Sequence, residues 1–292
     1  MIDSRIKGYL YIFAAAVFWG SSGTAAKFLF SHSYSTLLVV ESRVIIAAIT
    51  LFSLLLIYDR NLLVVRVRDL SDFAFLGVFG IAGSNYTYYA AMQVTGVGIA
   101  ILMQYTAPVL VAAYAVLAKH EKITPVKILA IGLSLSGTAI LLGAFGSSVK
   151  LSSTGIVLGI LSSFFFAFFN VYNRVAAKDY STWTALAYTL LFASLFWILF
   201  DFTFPSVYAA IRVMHLPALL IFSMTSVLIP YFFYFSGLKY LVPSTAVIVS
   251  TLEPVVAIVT AFFVLGEGMK VTQLAGGALV ILSVVILEMF QQ

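Results

Sequence analysis

The sequence predicts an all-α integral membrane protein with ten transmembrane helices, arranged as two inverted five-helix repeats. Three observations lead to this prediction: an apolar composition, long apolar runs along the whole chain, and a similarity between its two halves. Of the 292 residues, 62% are hydrophobic and 9% are charged, and the mean hydropathy is +1.09. Soluble domains carry roughly a quarter charged residues, so a soluble protein with this composition would have too little polar surface.

The length of the apolar runs decides between helices and a β-barrel. Only helices and closed barrels satisfy the backbone in lipid, and barrel strands would alternate in segments of about ten residues. The runs here are continuous and about twenty residues long, as membrane-spanning helices require. The predicted spans are 8–29, 35–57, 71–92, 97–118, 125–144, 154–174, 182–201, 214–238, 243–265 and 271–290.

Lysine and arginine predict the orientation, because cytoplasmic loops are enriched in them. With a cytoplasmic N-terminus, eleven would face the cytoplasm: Arg5, Lys7, Arg60, Arg66, Arg68, Lys119, Lys122, Lys127, Arg174, Lys178 and Lys239. Only four would face outside: Lys27, Lys150, Arg212 and Lys270. We therefore predict that both termini are cytoplasmic. The net charge of +5 follows from this topology and indicates no nucleic-acid partner.

The two halves of the chain align when one is shifted by 146 residues. The aligned segments are 88–124 and 234–270, and each holds a proline thirteen residues before a glutamate, Pro108 with Glu121 and Pro254 with Glu267. We place the repeats at 1–148 and 149–292. An odd number of spans in each repeat makes the second insert upside down, and inverted repeats form binding sites where they meet, near the midplane.

Three motifs resemble the drug/metabolite transporter superfamily, in its ten-helix EamA-type branch. They are "FWGSSGTAAK" in the first predicted helix, "AILMQYTAPVLVAAYAVLAKHEKIT" in the fourth and "AVIVSTLEPVVAIVTAFFVLGE" in the ninth. Arg43 matches an arginine common in that family. The resemblance implies a carrier in the bacterial cell (inner) membrane for amino acids, other metabolites or amphiphilic compounds, often outward. It also implies a central cavity lined by helices one, three, four, six, eight and nine.

Pro108 and Pro254 are expected to kink the fourth and ninth helices. A proline cannot donate to the carbonyl four residues earlier, here that of Gln104 or Ser250. In a membrane such a carbonyl must face protein or a wet cavity. The prolines therefore suit a binding site or a hinge, and a purely structural kink is the alternative.

Three charged residues lie well inside the predicted spans, away from the helix ends. A charge at the bilayer centre costs at least ~2.5–3.5 kcal/mol, so Glu253 should face the interior, be protonated or pair with a cation. It would contact a substrate amine, couple a proton, or brace a neighbouring helix; the family's wide use of "LEP" favours the bracing or gating role. Glu41 and Arg43 are two residues apart and point in different directions. We expect both to brace other helices, with contact between Arg43 and an anionic cargo group as the alternative.

Helical spacing selects further cavity candidates. Asn85, Tyr88, Tyr89 and Met92 share one face of the third helix, and Tyr231, Tyr234, Phe235 and Leu238 share the matching face of the eighth. With Glu253, the candidates are Trp19, Ser22, Asn85, Tyr88, Tyr89, Gln104, Tyr105, Asn170, Asn173, Tyr231 and Tyr234. Such a cavity suits a small amphiphilic solute with an aromatic or cationic part.

Small residues at intervals of four predict close helix packing. They are Gly155, Gly159 and Ser163 in the sixth helix, and Gly132 and Ser136 in the fifth. We expect no role in solute recognition for them.

The sequence contains no zinc-protease, hydrolase or P-loop motif, and no cysteine for a disulfide or thiolate site. We therefore expect no enzyme activity, no cofactor and no metal site. Transport would be passive or driven by a proton or other ion, with a small-molecule substrate and the lipid bilayer as partners; the oligomeric state stays open. The expected function is export of amino acids or related amphiphilic metabolites by alternating access. The alternatives are a carrier of quaternary ammonium compounds and a facilitating channel.

Overall fold

The computed structural model describes residues 4–30, 36–118, 123–144, 152–201, 216–266 and 268–290, and every regular element within them is helical. The predicted all-α class is therefore confirmed. Several sequence predictions fall outside the described residues: the Glu121 and Glu267 match, the charges at Lys119, Lys122, Lys150 and Arg212, and the side chain of Lys27.

The helices follow the predicted spans to within a few residues. Six of them are Ser4–Phe30 (α1), Thr36–Tyr58 (α2), Pro125–Leu141 (α5), Ser153–Ala176 (α6), Thr182–Asp201 (α7) and Val271–Phe290 (α10). The others are built from shorter pieces and cover 70–95 (α3), Val97–Leu117 (α4), 216–238 (α8) and Pro243–Leu265 (α9).

Among the described residues, seven helices are long and apolar enough to cross a membrane: α2, α4, α6, α7, α8, α9 and α10. The chain is therefore a multi-pass helical membrane protein. The predicted count of ten crossings and the inversion of the second repeat stay predictions.

Two helices break directly before a proline. α4 consists of Val97–Gln104 and Ala107–Leu117, and α9 consists of Pro243–Ser250 and Glu253–Leu265. Pro108 and Pro254 each lie in the first turn of the second piece, where a missing N–H removes no helical hydrogen bond. The breaks give each helix two pieces that can take different directions.

Two other helices contain a wide turn, in which backbone hydrogen bonds span five residues instead of four. The wide turns are Leu76–Gly83 in α3 and Met224–Leu228 in α8. When the second half of the chain is aligned with the first by the shift of 146 residues, Met224–Leu228 corresponds to 78–82, which lies inside the first wide turn. Nothing in the letters of these segments, which are apolar apart from Thr225 and Ser226, predicts the irregularity.

Eight helix pairs make most of the contacts in the bundle, and two of them are α3 on α7 and α2 on α8. In the other six, α3 packs on α6 and α1 on α8; α4 packs on α6 and α1 on α9; α2 packs on α7, and α5 on α10. The main buried core lies among α1, α2, α3, α6, α7 and α8, and it includes the fully buried rings of Trp197, Tyr234 and Phe169.

Glycines set the closest helix contact, between α5 and α10. A Cβ on Gly276 would lie 2.4 Å from the backbone nitrogen of Leu141, and one on Gly137 would lie 2.8 Å from the carbonyl oxygen of Gly276. Real Cβ atoms essentially never approach this closely, so the two backbones can meet only because both side chains are absent.

The predicted small-residue packing is correct for α6 and wrong for α5. A Cβ on Gly155 would lie 2.1 Å from Cγ2 of Thr95, and one on Gly159 would lie 2.4 Å from Sδ of Met103. A Cβ on Gly132, in contrast, would meet nothing within 4 Å. Gly132 is exposed, and α5 turns its other face, with Gly137, toward its partner.

A polar cluster ties the α2–α3 connection to the turn between α6 and α7. Arg66 forms ion pairs with Asp69 at 2.7 Å and with Asp179 at 2.8 Å. The Tyr180 hydroxyl donates to Asp69, and the Tyr180 carbonyl accepts from Lys239 at the end of α8. The hydrogen bond from Tyr180, followed by the nearby Arg66, lowers the pKa of Asp69 below its ordinary value.

Candidate functional site

The described helices enclose a central cavity of about 820 Å³. Its walls come from α1, α2, α3, α4, α6, α8 and α9, with the end of α5 and the start of α10 at one end. The volume lies within the range of small-molecule sites, roughly 300–1,000 Å³. The bundle can therefore surround a small organic solute.

Nine of the twelve cavity candidates line this space: Trp19, Ser22, Asn85, Tyr88, Tyr89, Gln104, Tyr105, Tyr231 and Glu253. Pro254 and Arg43 line it as well. Three candidates do not, namely Asn170, Asn173 and Tyr234, which are buried in helix packing. Pro108 and Glu41 are also buried outside the lining.

Arg43 forms a positively charged pole of the cavity. It is 7% exposed, and its Nη2 donates to Asn85 Oδ1 at 3.1 Å and to the Tyr89 hydroxyl at 2.9 Å. The guanidinium carbon lies 5.2 Å from the centre of the Tyr89 ring. Both hydrogen-bond acceptors are neutral, so no carboxylate among these contacts cancels the charge.

Glu253 places a carboxyl group on the cavity wall, at the break in α9. The Tyr105 hydroxyl donates to Glu253 Oε2 at 2.7 Å and also lies 3.1 Å from the carbonyl oxygen of Ser250. Ser250 is the last residue of the first α9 piece, and in a continuous helix its carbonyl would have met residue 254, a proline that has no N–H to donate. Glu253 also occupies the first turn of the second α9 piece, where the helix dipole favours a carboxylate.

Asn85 connects the arginine pole to the second half of the chain. Its Nδ2 donates to the Tyr231 hydroxyl at 3.2 Å and to the carbonyl of Ile81 at 2.7 Å. Ile81 lies in the wide turn of α3. Asn85 and Tyr231 are 146 residues apart, which is the repeat shift, so equivalent positions of the two halves meet here.

Aromatic rings cover much of the remaining wall. The rings of Trp19 and Tyr231 meet edge to face, with centres 5.2 Å apart, and those of Tyr88 and Tyr89 lie 4.9 Å apart. Tyr234 lies next to Trp19, at 5.1 Å, but its hydroxyl donates to Asn170. The cavity thus combines an apolar aromatic wall with a guanidinium and a carboxyl group.

Among the described residues, the exposed ones that line the cavity all lie at one of its ends. There the cavity extends past Val97 and Leu142 to the exposed Lys270. At the other end, all eight residues of Pro243–Ser250 are buried, whereas only Ala100 is buried in the equivalent piece Val97–Gln104. The structure thus holds the two halves of the chain in different arrangements.

Sequence reasoning missed several lining residues. Ile101, Phe166 and Ala257 are apolar, and their letters do not distinguish a cavity wall from a lipid-facing or packed side chain. Lys270 and Gln273 lie at the start of α10; Lys270 was predicted only as an outside-facing charge, and Gln273 was not singled out. Gln273 carries a detectable signal, because it is an amide inside an apolar run.

Comparisons with known proteins give a consistent result. The sequence profile of the EamA-like transporter family matches residues 6–143 and again 153–289. An uncharacterized transporter of Archaeoglobus fulgidus is 29% identical over 72% of this chain and 75% of its own length. The uncharacterized inner membrane transporter YicL of Salmonella typhimurium is 22% identical over 99% of this chain and 97% of its own. One crystal structure superposes with a TM-score of 0.75 at 17% identity, covering 97% of this chain and 96% of the other.

Proposed function

Because the chain belongs to the EamA-like transporter family, within the drug/metabolite transporter superfamily, we propose that it carries small organic amines across the bacterial inner membrane by alternating access, without ATP. Amino acids and related amphiphilic metabolites are the first class of cargo. The observation that carries this proposal is that Glu253 and Arg43 both line one aromatic cavity. A carboxylate and a guanidinium together match an ammonium and a carboxylate on one solute.

The packing of the helices supports ten crossings in two inverted repeats. The proposed repeats are α1–α5 and α6–α10, so α1 corresponds to α6, α2 to α7, and so on to α5 and α10. If each helix is replaced by its counterpart, the observed α3–α6 pair becomes the observed α8–α1 pair, and α4–α6 becomes α9–α1. The α2–α7 and α5–α10 pairs remain the same pairs. The breaks in α4 and α9, and the wide turns in α3 and α8, also fall at equivalent positions. A two-fold relation in the membrane plane accounts for all of these correspondences.

The charge bias supports the assigned orientation, and that orientation decides which side of the membrane the open end of the cavity faces. With a cytoplasmic N-terminus, the end that carries Lys270 faces outside. The arrangement of helices is then the outward-open one, in which a carrier releases exported solute. Binding sites between inverted repeats open to either side by movement of one repeat against the other.

Counterflow in proteoliposomes tests the carrier. Vesicles loaded with one unlabelled amino acid should accumulate its labelled form transiently against a gradient. The amino acids used would be those that raise the melting temperature of the purified protein in a screen, since a ligand stabilises the folded state it binds. A pore would give equilibration without accumulation for every active solute, and that result would favour the facilitating channel.

A carrier of quaternary ammonium compounds is the second candidate, and the surroundings of Glu253 favour it. The carboxylate shares the cavity with Trp19, Tyr88 and Tyr231, and aromatic faces attract cations. For this cargo, Glu253→Gln should abolish binding, whereas Arg43→Gln should preserve it. For a zwitterionic amino acid, both variants should lose binding. If Glu253→Gln binds either class as well as the wild type, the carboxylate only braces the helices.

A further inference from the structure

A second groove lies between the start of α1 and the end of α8, away from the central cavity. Its volume is about 380 Å³, and its lining residues are Lys7, Leu10, Tyr11, Ala14, Phe233 and Tyr240. None of these residues lines the central cavity. The groove is thus a separate feature, and a ligand bound there would be independent of the proposed transport function.

Two glycines hold the walls of the groove together. A Cβ on Gly8 would lie 2.7 Å from Cγ of Leu241, and one on Gly237 would lie 2.5 Å from Cδ1 of Ile12. A side chain at either position would have to displace the side chain of Leu241 or of Ile12. The spacing of the two helices along the groove is therefore set by the sequence.

The body of the groove is apolar and faces out of the bundle. Leu10 is 53% exposed and Tyr240 is 45% exposed. The Tyr11 ring lies 6.0 Å from both the Tyr240 and the Phe233 rings. On a membrane-spanning helix such side chains contact lipid, and tyrosines concentrate where the hydrocarbon meets the headgroups.

Lys7 adds a positive charge at one end of this apolar groove. It is exposed, and within the described part of the chain it belongs to no ion pair. It lies one helical turn before Tyr11, on the same face of α1, whereas Ala14 lies further along the helix. A cation at the membrane surface next to an apolar groove complements an amphiphile with a negative head.

We propose that this groove binds an anionic phospholipid, with the phosphate at Lys7 and an acyl chain along Leu10, Ala14 and Phe233. Inorganic phosphate could satisfy the ammonium but would leave the apolar walls uncovered. A zwitterionic phospholipid could cover the walls, but its choline would oppose the lysine. Only an anionic lipid matches both parts of the groove.

Native mass spectrometry of the full chain in detergent tests the proposal, with dioleoyl phosphatidylglycerol and dioleoyl phosphatidylcholine as probes. We expect preferential retention of phosphatidylglycerol. Lys7→Gln should weaken its binding about fivefold, because a cation near an anionic membrane surface contributes ~1 kcal/mol. Arg60→Gln is the matched control, since it removes an exposed cation outside the groove and should leave binding unchanged.

A second variant tests the apolar part without changing the charge. Ala14→Phe should fill the groove and reduce phosphatidylglycerol binding, and inorganic phosphate should not displace the lipid. Equal retention of both lipids, or an equal loss in Lys7→Gln and Arg60→Gln, would show general surface association and overturn the site. Unchanged binding in Ala14→Phe, or displacement by phosphate, would overturn the assignment of a lipid.

Discussion

Asn85 is the residue on which the arginine pole depends. Its oxygen accepts from Arg43, and its nitrogen donates to Tyr231. The amide thereby holds a charged side chain of one half against a hydroxyl of the other. Replacing it leaves a guanidinium with one acceptor fewer in a place where water is scarce.

Asn85→Leu should lower the free energy of unfolding by about 1.5–3 kcal/mol, the usual contribution of hydrogen bonds to a charged group. Solute binding should weaken roughly tenfold, because Arg43 loses its fixed direction. Thermal unfolding in detergent and the ligand-induced melting shift measure the two effects. Gln93→Leu removes an amide from an exposed position on the same helix and should change neither. If both variants lost stability and binding equally, the cause would be a general disturbance of α3 and not the loss of the Asn85 hydrogen bonds.

Aligned residues of the two halves differ in their surroundings, and this limits what the sequence can predict. Tyr88 and Tyr234 are equivalent under the repeat shift. Tyr88 lines the cavity, whereas Tyr234 is fully buried and donates to Asn170. Helical spacing selected Asn85 and Tyr89, and both line the cavity because this face of α3 borders it. The same reasoning placed Tyr234 in the cavity, because it could not tell which end of the bundle is closed.

At the scale of elements, the α5–α10 contact has no room for a side chain. Gly276→Ala should destabilise the protein by about 1–3 kcal/mol, the typical cost of overpacking, since its Cβ would lie 2.4 Å from a backbone nitrogen. Gly132→Ala, in open surroundings on α5, should be neutral or stabilising by up to ~1 kcal/mol. Melting temperatures in detergent distinguish the two. Similar melting temperatures for both variants would contradict the tight contact.

The polar cluster in the α2–α3 connection should make the stability of the protein depend on pH. The pKa of Asp69 is lowered in the folded protein. Ionised Asp69 therefore stabilises the folded state at pH values above the pKa of an unfolded aspartate, about 3.9. This stabilisation is lost as the pH falls through the lowered pKa of the folded state. Tyr180→Phe removes the main cause of that shift. The variant should therefore be less stable than the wild type near neutral pH, with the difference shrinking below about pH 4.

Thermal unfolding measured across this pH range checks the prediction. Tyr58→Phe is the control, because Tyr58 is 81% exposed. The stability of this variant should equal that of the wild type at every pH. A difference between Tyr180→Phe and the wild type that stays constant with pH would mean that Tyr180 acts by packing alone.

The positions of the helices could be predicted from the sequence, but their irregularities only in part. Long apolar runs and the repeat located α1 to α10, because each crossing needs about twenty apolar residues. Pro108 and Pro254 marked the breaks, because proline removes a donor. The wide turns at Leu76–Gly83 and Met224–Leu228 had no such marker. They depend on contacts with other helices, which local sequence does not specify.

At the scale of the whole molecule, the difference between the two halves predicts which residues water can reach. Ile101 and Val247 are equivalent under the repeat shift. Ile101 lines the cavity, whereas Val247 is fully buried. The chain has no cysteine, so single cysteines can be introduced into the natural sequence.

A membrane-impermeant maleimide should label Ile101→Cys from outside the vesicle or cell and leave Val247→Cys unlabelled. Unfolding in detergent with denaturant should expose both cysteines, which controls for the intrinsic reactivity of each thiol. Labelling of Val247→Cys at the rate of Ile101→Cys would contradict a closed inner end. Labelling of Ile101→Cys only from the cytoplasmic side would reverse the assigned orientation.

The wide turns have a consequence for the rotation of α3 and α8. A wide turn holds one residue more than an ordinary turn, and each residue of a helix is rotated by about 100° from the one before. If that surplus residue migrates by one position, the residue it passes swings round the axis while both ends of the helix stay in place. Asn85 and Tyr231 lie just beyond the two wide turns. A local twist of this kind would reorient two cavity-lining side chains without unwinding either helix.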